Sequence, residues 1–124
     1  MKKIESNKAP IPKAWYSQAI KTGKMLFTAG QIHLTADGKL LEGDIKEQTH
    51  QVMKNLKCIL EEAEFSFKDV VKTTIFIVDM ATYSEIIQVY STYMSEPYPA
   101  RETVCVKELP LGAKLEISLI AVKN

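Results

Sequence analysis

The stretch VVKTTIFIVDM, Val70–Met80, decides the fold. Val70–Val78 is dense in β-branched side chains, which suit a pleated, buried surface, so it reads as a core strand. Ser66 and Asp69 mark a short cap just before it. Upstream, Asp44 and Glu47 have capping-box spacing, and Thr49, Val52, Met53, Leu56, Ile59, Leu60 and Ala63 then recur at helical intervals. That is one buried stripe. The opposite side carries His50, Lys54, Lys57 and Glu61, which assigns His50 to a solvated face rather than to a ligand or catalytic base. Downstream, Thr82 and Glu85 repeat the S/T-x-x-E signature and open a second helix with Tyr83, Ile86, Ile87, Tyr90 and Met94 on its core face.

The flanks are β. Ala9-Pro10-Ile11-Pro12 reads as extended, and Tyr16–Thr22 and Met25–Ala29 form a hairpin around Thr22-Gly23-Lys24. Ala36-Asp37-Gly38 supplies a second turn between Gln31–Leu34 and Lys39–Leu41, because Asp-Gly accepts positive φ. Pro97 and Pro99 stop the second helix, and Thr103–Lys107 and Lys114–Val122 are strands joined by the turn at Leu109–Ala113. The order β-β-(β)-α-β-α-β-β predicts an α+β domain with a single mixed sheet and two helices packed on one face. The other face stays open, which predicts a homo-oligomer with sheet facing sheet.

Composition bounds the rest. With 124 residues, 46% hydrophobic, the chain is one domain, residues 1–124, able to bury roughly two-thirds of its unfolded surface without a metal or disulfide staple. Sixteen Lys+Arg against fifteen Asp+Glu leave a net charge of +1, no field for nucleic acid. Six lysines against Glu5 in residues 1–24 are spread out, as on solvated strands and loops. No apolar run approaches the ~20 residues that span a bilayer, and MKKIESNKAPIPK lacks the apolar core of a secretory signal. Cys58 and Cys105 show no C-x-x-C spacing, which argues against zinc and fits a reducing cytoplasm. Thr28-Ala29-Gly30-Gln31 has one glycine and precedes no helix, so it is no phosphate loop.

Arg101 is the sole arginine among sixteen cations. A guanidinium offers a planar fork that grips a carboxylate bidentately, so a lone Arg among lysines marks either a place needing that fork or a structural salt bridge. Glu116 lies in the alternating strand Lys114–Ala121 and is either an acid–base group or a plain surface carboxylate. Facing Lys107 to Lys114 across a hairpin predicts Cys105 opposite Glu116 and Thr103 opposite Ser118, with Arg101, Thr103, Cys105 and Glu116 on one face. No histidine is placed to activate Cys105, and Ser17 and Ser118 lack a base, so these read as structural.

Ordered along nearly the whole chain, Tyr16-Ser17-Gln18-Ala19, Phe27–Ile32, Gly43–Ile45 with Glu47–Thr49, VVKTTIFIVDM, Pro99-Ala100-Arg101 and Leu109-Pro110 with Gly112–Ala121 resemble the RidA/YjgF/YER057c/UK114 family. The resemblance implies a chorismate-mutase-like homotrimer, three sheets lining a barrel and ligand clefts between subunits. It implies hydrolysis of reactive 2-imino acids to 2-oxo acids and ammonia, with no metal or organic cofactor. In that picture Arg101 grips the substrate carboxylate, Glu116 orients or activates water, Tyr16 lines the cleft, and the backbone of Gly30 and Thr103 adds hydrogen bonds. The chain departs from the pattern at Ala29, where Ser is common, at Ile87, where the second helix aligns an Asn, and at Ala14-Trp15 in place of Gly-Pro. Ala29 and Ile87 favour the alternative of a non-enzymatic small-carboxylate sensor using the same cleft. RNA cleavage, claimed for some relatives, is disfavoured by the near-neutral charge and the absence of an aromatic-basic surface.

Overall fold

In the computed structural model, which describes residues 1–124, the strand read from VVKTTIFIV spans Val70–Ile77 and is β4. The others are β1 (Lys2–Ile4), β2 (Ala19–Thr22), β3 (Met25–Thr28), β5 (Ala100–Cys105) and β6 (Leu115–Val122). They form one six-stranded sheet in the order β1-β2-β3-β6-β4-β5. Only the β4–β5 pair is parallel, so the sheet is mixed.

Helices α1 (Ile45–Glu62) and α2 (Tyr83–Ser91) cover one face. Asp44 caps α1 by accepting the Glu47 N–H at 2.8 Å, while Glu47 accepts the Asp44 N–H at 3.4 Å. Such a cap contributes about 1 kcal/mol. Every apolar stripe residue named for α1 is buried, and these side chains meet alternate residues of β6, namely Leu115, Ile117, Leu119 and Ala121, with Ile75 and Ile77 of β4. Each fully buried Leu or Ile contributes about 1.5–3 kcal/mol relative to exposure. The opposite face stays open, with Phe27 and Val104 exposed and Phe76 and Ile120 half-buried.

Several local expectations change. The β5–β6 hairpin does not form: β4, α2 and β5 make a parallel crossover that sets β5 beside β4, and β6 fills the other side of β4. Chain neighbours pair by default, but a helix between two strands allows a parallel return instead. Gln31–Leu34 and Lys39–Leu41 make only the isolated bridges Leu34↔Leu40 and Gln31↔Ile117, although Gly38 has the expected positive φ of 85°. Thr82 makes no side-chain cap; Asp79 caps the preceding 3-10 turn by accepting the Ala81 N–H at 3.0 Å. His50 is half-buried rather than solvated, its Nδ1 paired with the Tyr93 hydroxyl at 2.8 Å. Lys2–Ile4, not foreseen as a strand, pairs with β2 and closes one sheet edge with two lysines, which discourage further pairing.

Candidate functional site

The parallel register sets Arg101 beside Thr73, on the helix-covered side of the sheet. Its Cζ lies 5.7 Å from the Tyr83 ring centroid and 5.9 Å from that of Tyr90. Both tyrosines come from α2, spaced two helical turns apart so that they share a face. Tyr90 is fixed in turn by a 2.8 Å bond between its hydroxyl and Thr73 Oγ1, and burial raises its pKa above the ordinary 10.0. Arg101 Nη1 donates to the Tyr83 hydroxyl at 3.1 Å and to Thr103 Oγ1 at 3.4 Å. A guanidinium has five N–H donors, two of them on Nη1. The Nε–Nη2 edge, the one that matches a carboxylate, therefore remains free of protein partners.

No acid neutralises this cation. The ion pairs are Lys3–Glu5, Lys39–Asp37 and Lys72–Glu102, and none involves Arg101. Beside it opens a depression of about 380 Å³ lined by Ile87, Tyr90, Ser91, Met94, Tyr98 and Pro99.

Glu116 occupies a different place. It pairs with Phe76, on the open face, whereas its neighbours Leu115 and Ile117 point into the core. The anticipated single face for Arg101, Thr103, Cys105 and Glu116 is thus corrected: the three β5 residues sit in register with Thr73, Ile75 and Ile77, and Glu116 points to the other side. Gly30 lies directly against Glu116, since a Cβ on Gly30 would stand 2.6 Å from the carboxylate Oε2. Desolvation by burial raises the Glu116 pKa above the ordinary 4.5, and no donor of the chain bonds its carboxylate. The Gly30 N–H and C=O are also free, while the adjoining Gln31 exchanges two backbone bonds with Ile117.

On edge strand β5, Val106 N–H donates to Ile77 O at 2.7 Å. In a parallel pair that fixes alternate residues inward and turns the N–H and C=O of Arg101, Thr103 and Cys105 outward. Tyr16 is more than half exposed and lines a separate groove with Lys13, Ala14, Leu34 and Leu111. The structure thus unites Arg101, Thr103 and Ile87, sets Gly30 on Glu116, and leaves Tyr16 apart. No group of three or more His, Cys, Asp or Glu side chains is placed to hold a metal ion.

Sequence reasoning missed the parts that hold these groups. Tyr83 and Tyr90 looked like core positions, and only their hydroxyls, which need partners when buried, hinted otherwise. Gln18 is a buried bracket whose Nε2 donates to Ser6 O at 3.0 Å and Pro10 O at 2.8 Å, while its Oε1 accepts the Ser6 N–H at 2.7 Å. Asn55 of α1 donates to Leu34 O at 2.8 Å and steadies the loop that follows Gly30. Buried His33 contacts Leu41 O at 3.0 Å through Nδ1 and accepts the Lys114 N–H at 3.0 Å on Nε2, which defines a neutral ring protonated on Nδ1.

The single mixed six-stranded sheet with two helices on one face is the chorismate-mutase-like class of α+β fold. Residues 6–123 match the family model described as Endoribonuclease L-PSP. The chain belongs to this family, the RidA/YjgF family. It is 46% identical to the RutC family protein PYRAB12510 of Pyrococcus abyssi over 98% of this chain and 96% of that one. It is 40% identical to the chloroplastic Reactive Intermediate Deaminase A of Arabidopsis thaliana over 95% of this chain and 64% of that one. A crystal structure of a putative endoribonuclease from Thermotoga maritima superposes with TM-score 0.97 at 43% identity, covering 100% of this chain and 98% of that one. TdcF of E. coli with bound serine superposes with TM-score 0.94 at 35% identity, covering 100% of both.

Proposed function

We propose that this protein hydrolyses reactive 2-imino acids, such as 2-iminopropanoate and 2-iminobutanoate, to 2-oxo acids and ammonia. The observation that carries the reading is the free Nε–Nη2 edge of Arg101, held by Tyr83 and Thr103 with no acid to quench it. That edge would take the substrate carboxylate through two charge-assisted bonds. An imine is already electrophilic, so what remains is to bring water to the C=N carbon and move a proton. Glu116, with a pKa raised by burial, would accept a proton from water as it adds and deliver one to the nitrogen as ammonia leaves. The free backbone of Gly30 and the outward edge at Thr103 would supply further bonds, and Tyr16 would line the cleft.

Arg101 and Glu116 sit on opposite faces of one sheet, so one chain cannot turn both to one ligand. We therefore assign the working form as a homotrimer, with the open sheet faces inward and each site shared by two copies. The exposed Phe27 and Val104 support that packing. The name of the Arabidopsis relative and the serine bound to TdcF support a small amino- or oxo-acid ligand. The free thiols Cys58 and Cys105 fit the cytoplasm, and no helix is long and apolar enough to cross a membrane.

A second reading, a small-carboxylate sensor without turnover, is favoured by Ile87, which offers no polar group beside Arg101. RNA cleavage is supported less well: His33 is locked between backbone groups and His50 is tied to Tyr93. The deciding measurement couples a PLP-dependent serine dehydratase to this protein and follows 2-oxo acid formation. Acceleration that disappears in Arg101→Ala is expected; a variant as fast as wild type defeats the assignment.

A further inference from the structure

We infer that the cavity between the start of α1 and the turn after β4 is a second ligand site, one that takes a small zwitterion of the α-amino-acid type with a short apolar side chain. It measures about 300 Å³, at the lower end of small-ligand pockets. It is distinct from the depression beside Arg101: Thr73, which pairs with Arg101, and Ile77, next to the cavity wall at Val78, stand four residues apart on β4, about 13 Å. Gln48 of α1 lines the cavity and is only 6% exposed. Its Nε2 donates to the carbonyls of Leu41 and Gly43, both at 3.4 Å, which turns Oε1 the other way, and no group of the chain bonds that oxygen. No shielded side-chain polar atom of this protein lacks a partner, so Oε1 opens into the cavity. Asp79 adds a second acceptor: its Oδ1 accepts the Ala81 N–H at 3.0 Å, and Oδ2 is unbonded. Thr82 adds a third, because its hydroxyl donates to Asp79 O at 2.7 Å and keeps its lone pairs. Three acceptors, one of them charged, match the three N–H donors of a primary ammonium. The cation of the cavity is Lys114, set beside Val78 by the Val78 N–H bond to its carbonyl at 3.3 Å and paired with no acid. It supplies the partner for a carboxylate, and Ile45 and Val78 present carbon to the rest of the ligand.

This site uses neither Arg101 nor Glu116, so it stands or falls independently of the deamination reading. Calorimetry on the intact protein with L-valine tests it, alongside isovalerate and isobutylamine, which lack the ammonium and the carboxylate respectively. One valine per chain should still bind to Arg101→Ala. Each singly charged analogue should bind at least about tenfold more weakly than valine, since each leaves one charged partner in the site unpaired. Asp79→Asn keeps a capping oxygen for Ala81 and should weaken valine binding at least about tenfold. Lys114→Met, at an exposed position, should do the same. The analogues are read on unmutated protein, so the outcome does not depend on how either variant folds. Valine binding that vanishes in Arg101→Ala overturns the inference, because the ligand then belongs to the site already described. Binding undiminished in either Asp79→Asn or Lys114→Met, analogues that bind as well as valine, or no valine binding in the millimolar range each overturn it as well.

Discussion

Gly30→Ala isolates the placement of the Glu116 carboxylate from the stability of the fold. A Cβ at Gly30 would stand 2.6 Å from both Cδ and Oε2 of Glu116 and 2.8 Å from its Cγ. Carbon atoms in contact rest at about 3.5–4.0 Å, so the carboxylate must retreat by roughly 1 Å. Gly30 has no left-handed backbone and the obstructing group is the end of a flexible side chain, so the fold should absorb the change within about 0.5 kcal/mol. A misplacement of about 1 Å at a reacting group costs on the order of 100-fold in rate. The expected outcome is therefore an unchanged urea midpoint with kcat/KM for imine hydrolysis down by about two orders of magnitude. Glu116→Gln should fall at least as far, and adding Gly30→Ala to it should cost little more, because both act through one group. A Gly30→Ala protein retaining half of wild-type kcat/KM, with the carboxylate seen displaced in its crystal structure, would refute the role given to Glu116.

Two further predictions concern the brackets that hold the loops. Desolvation lowers the folded-state pKa of His33 below 6.5, so the unfolded chain takes up the proton first as pH falls. Stability should be fully present above about pH 6.5 and decline below it, and His33→Gln should flatten that part of the slope in urea titrations between pH 5 and 7.5; an unaltered slope sinks the assignment. Asn55→Leu orphans the carbonyl of Leu34 and should lower unfolding free energy by about 1–3 kcal/mol, whereas a loss below about 0.5 kcal/mol would show that the loop does not depend on this bond.

The legible parts of this fold carried local signals. Helix α1 announced itself through Asp44, Glu47 and a continuous apolar stripe, and β4 and β6 through β-branched density and strict alternation. The pairing of β5 was not legible, because a parallel strand returning over a helix leaves no turn signature comparable to Thr22-Gly23-Lys24. That one error carried Glu116 to the wrong side of Arg101. Arg101 itself stood out by rarity, yet its two aromatic supports were hidden among core positions of α2. Gln18, His33 and Asn55 were illegible for the reverse reason: polar residues are mostly found at the surface, and only tertiary structure reveals backbone groups waiting inside for them.

Arg101 and Glu116 are divided between the two sides of one sheet, and if both serve one ligand, chemistry and folding become separable properties of this polypeptide. On the shared-site reading, an isolated protomer retains a complete hydrophobic interior but owns two half-centres that can never meet. Dilution alone would then silence it reversibly, with no unfolding, and the cellular abundance of the chain would act as its own threshold for activity.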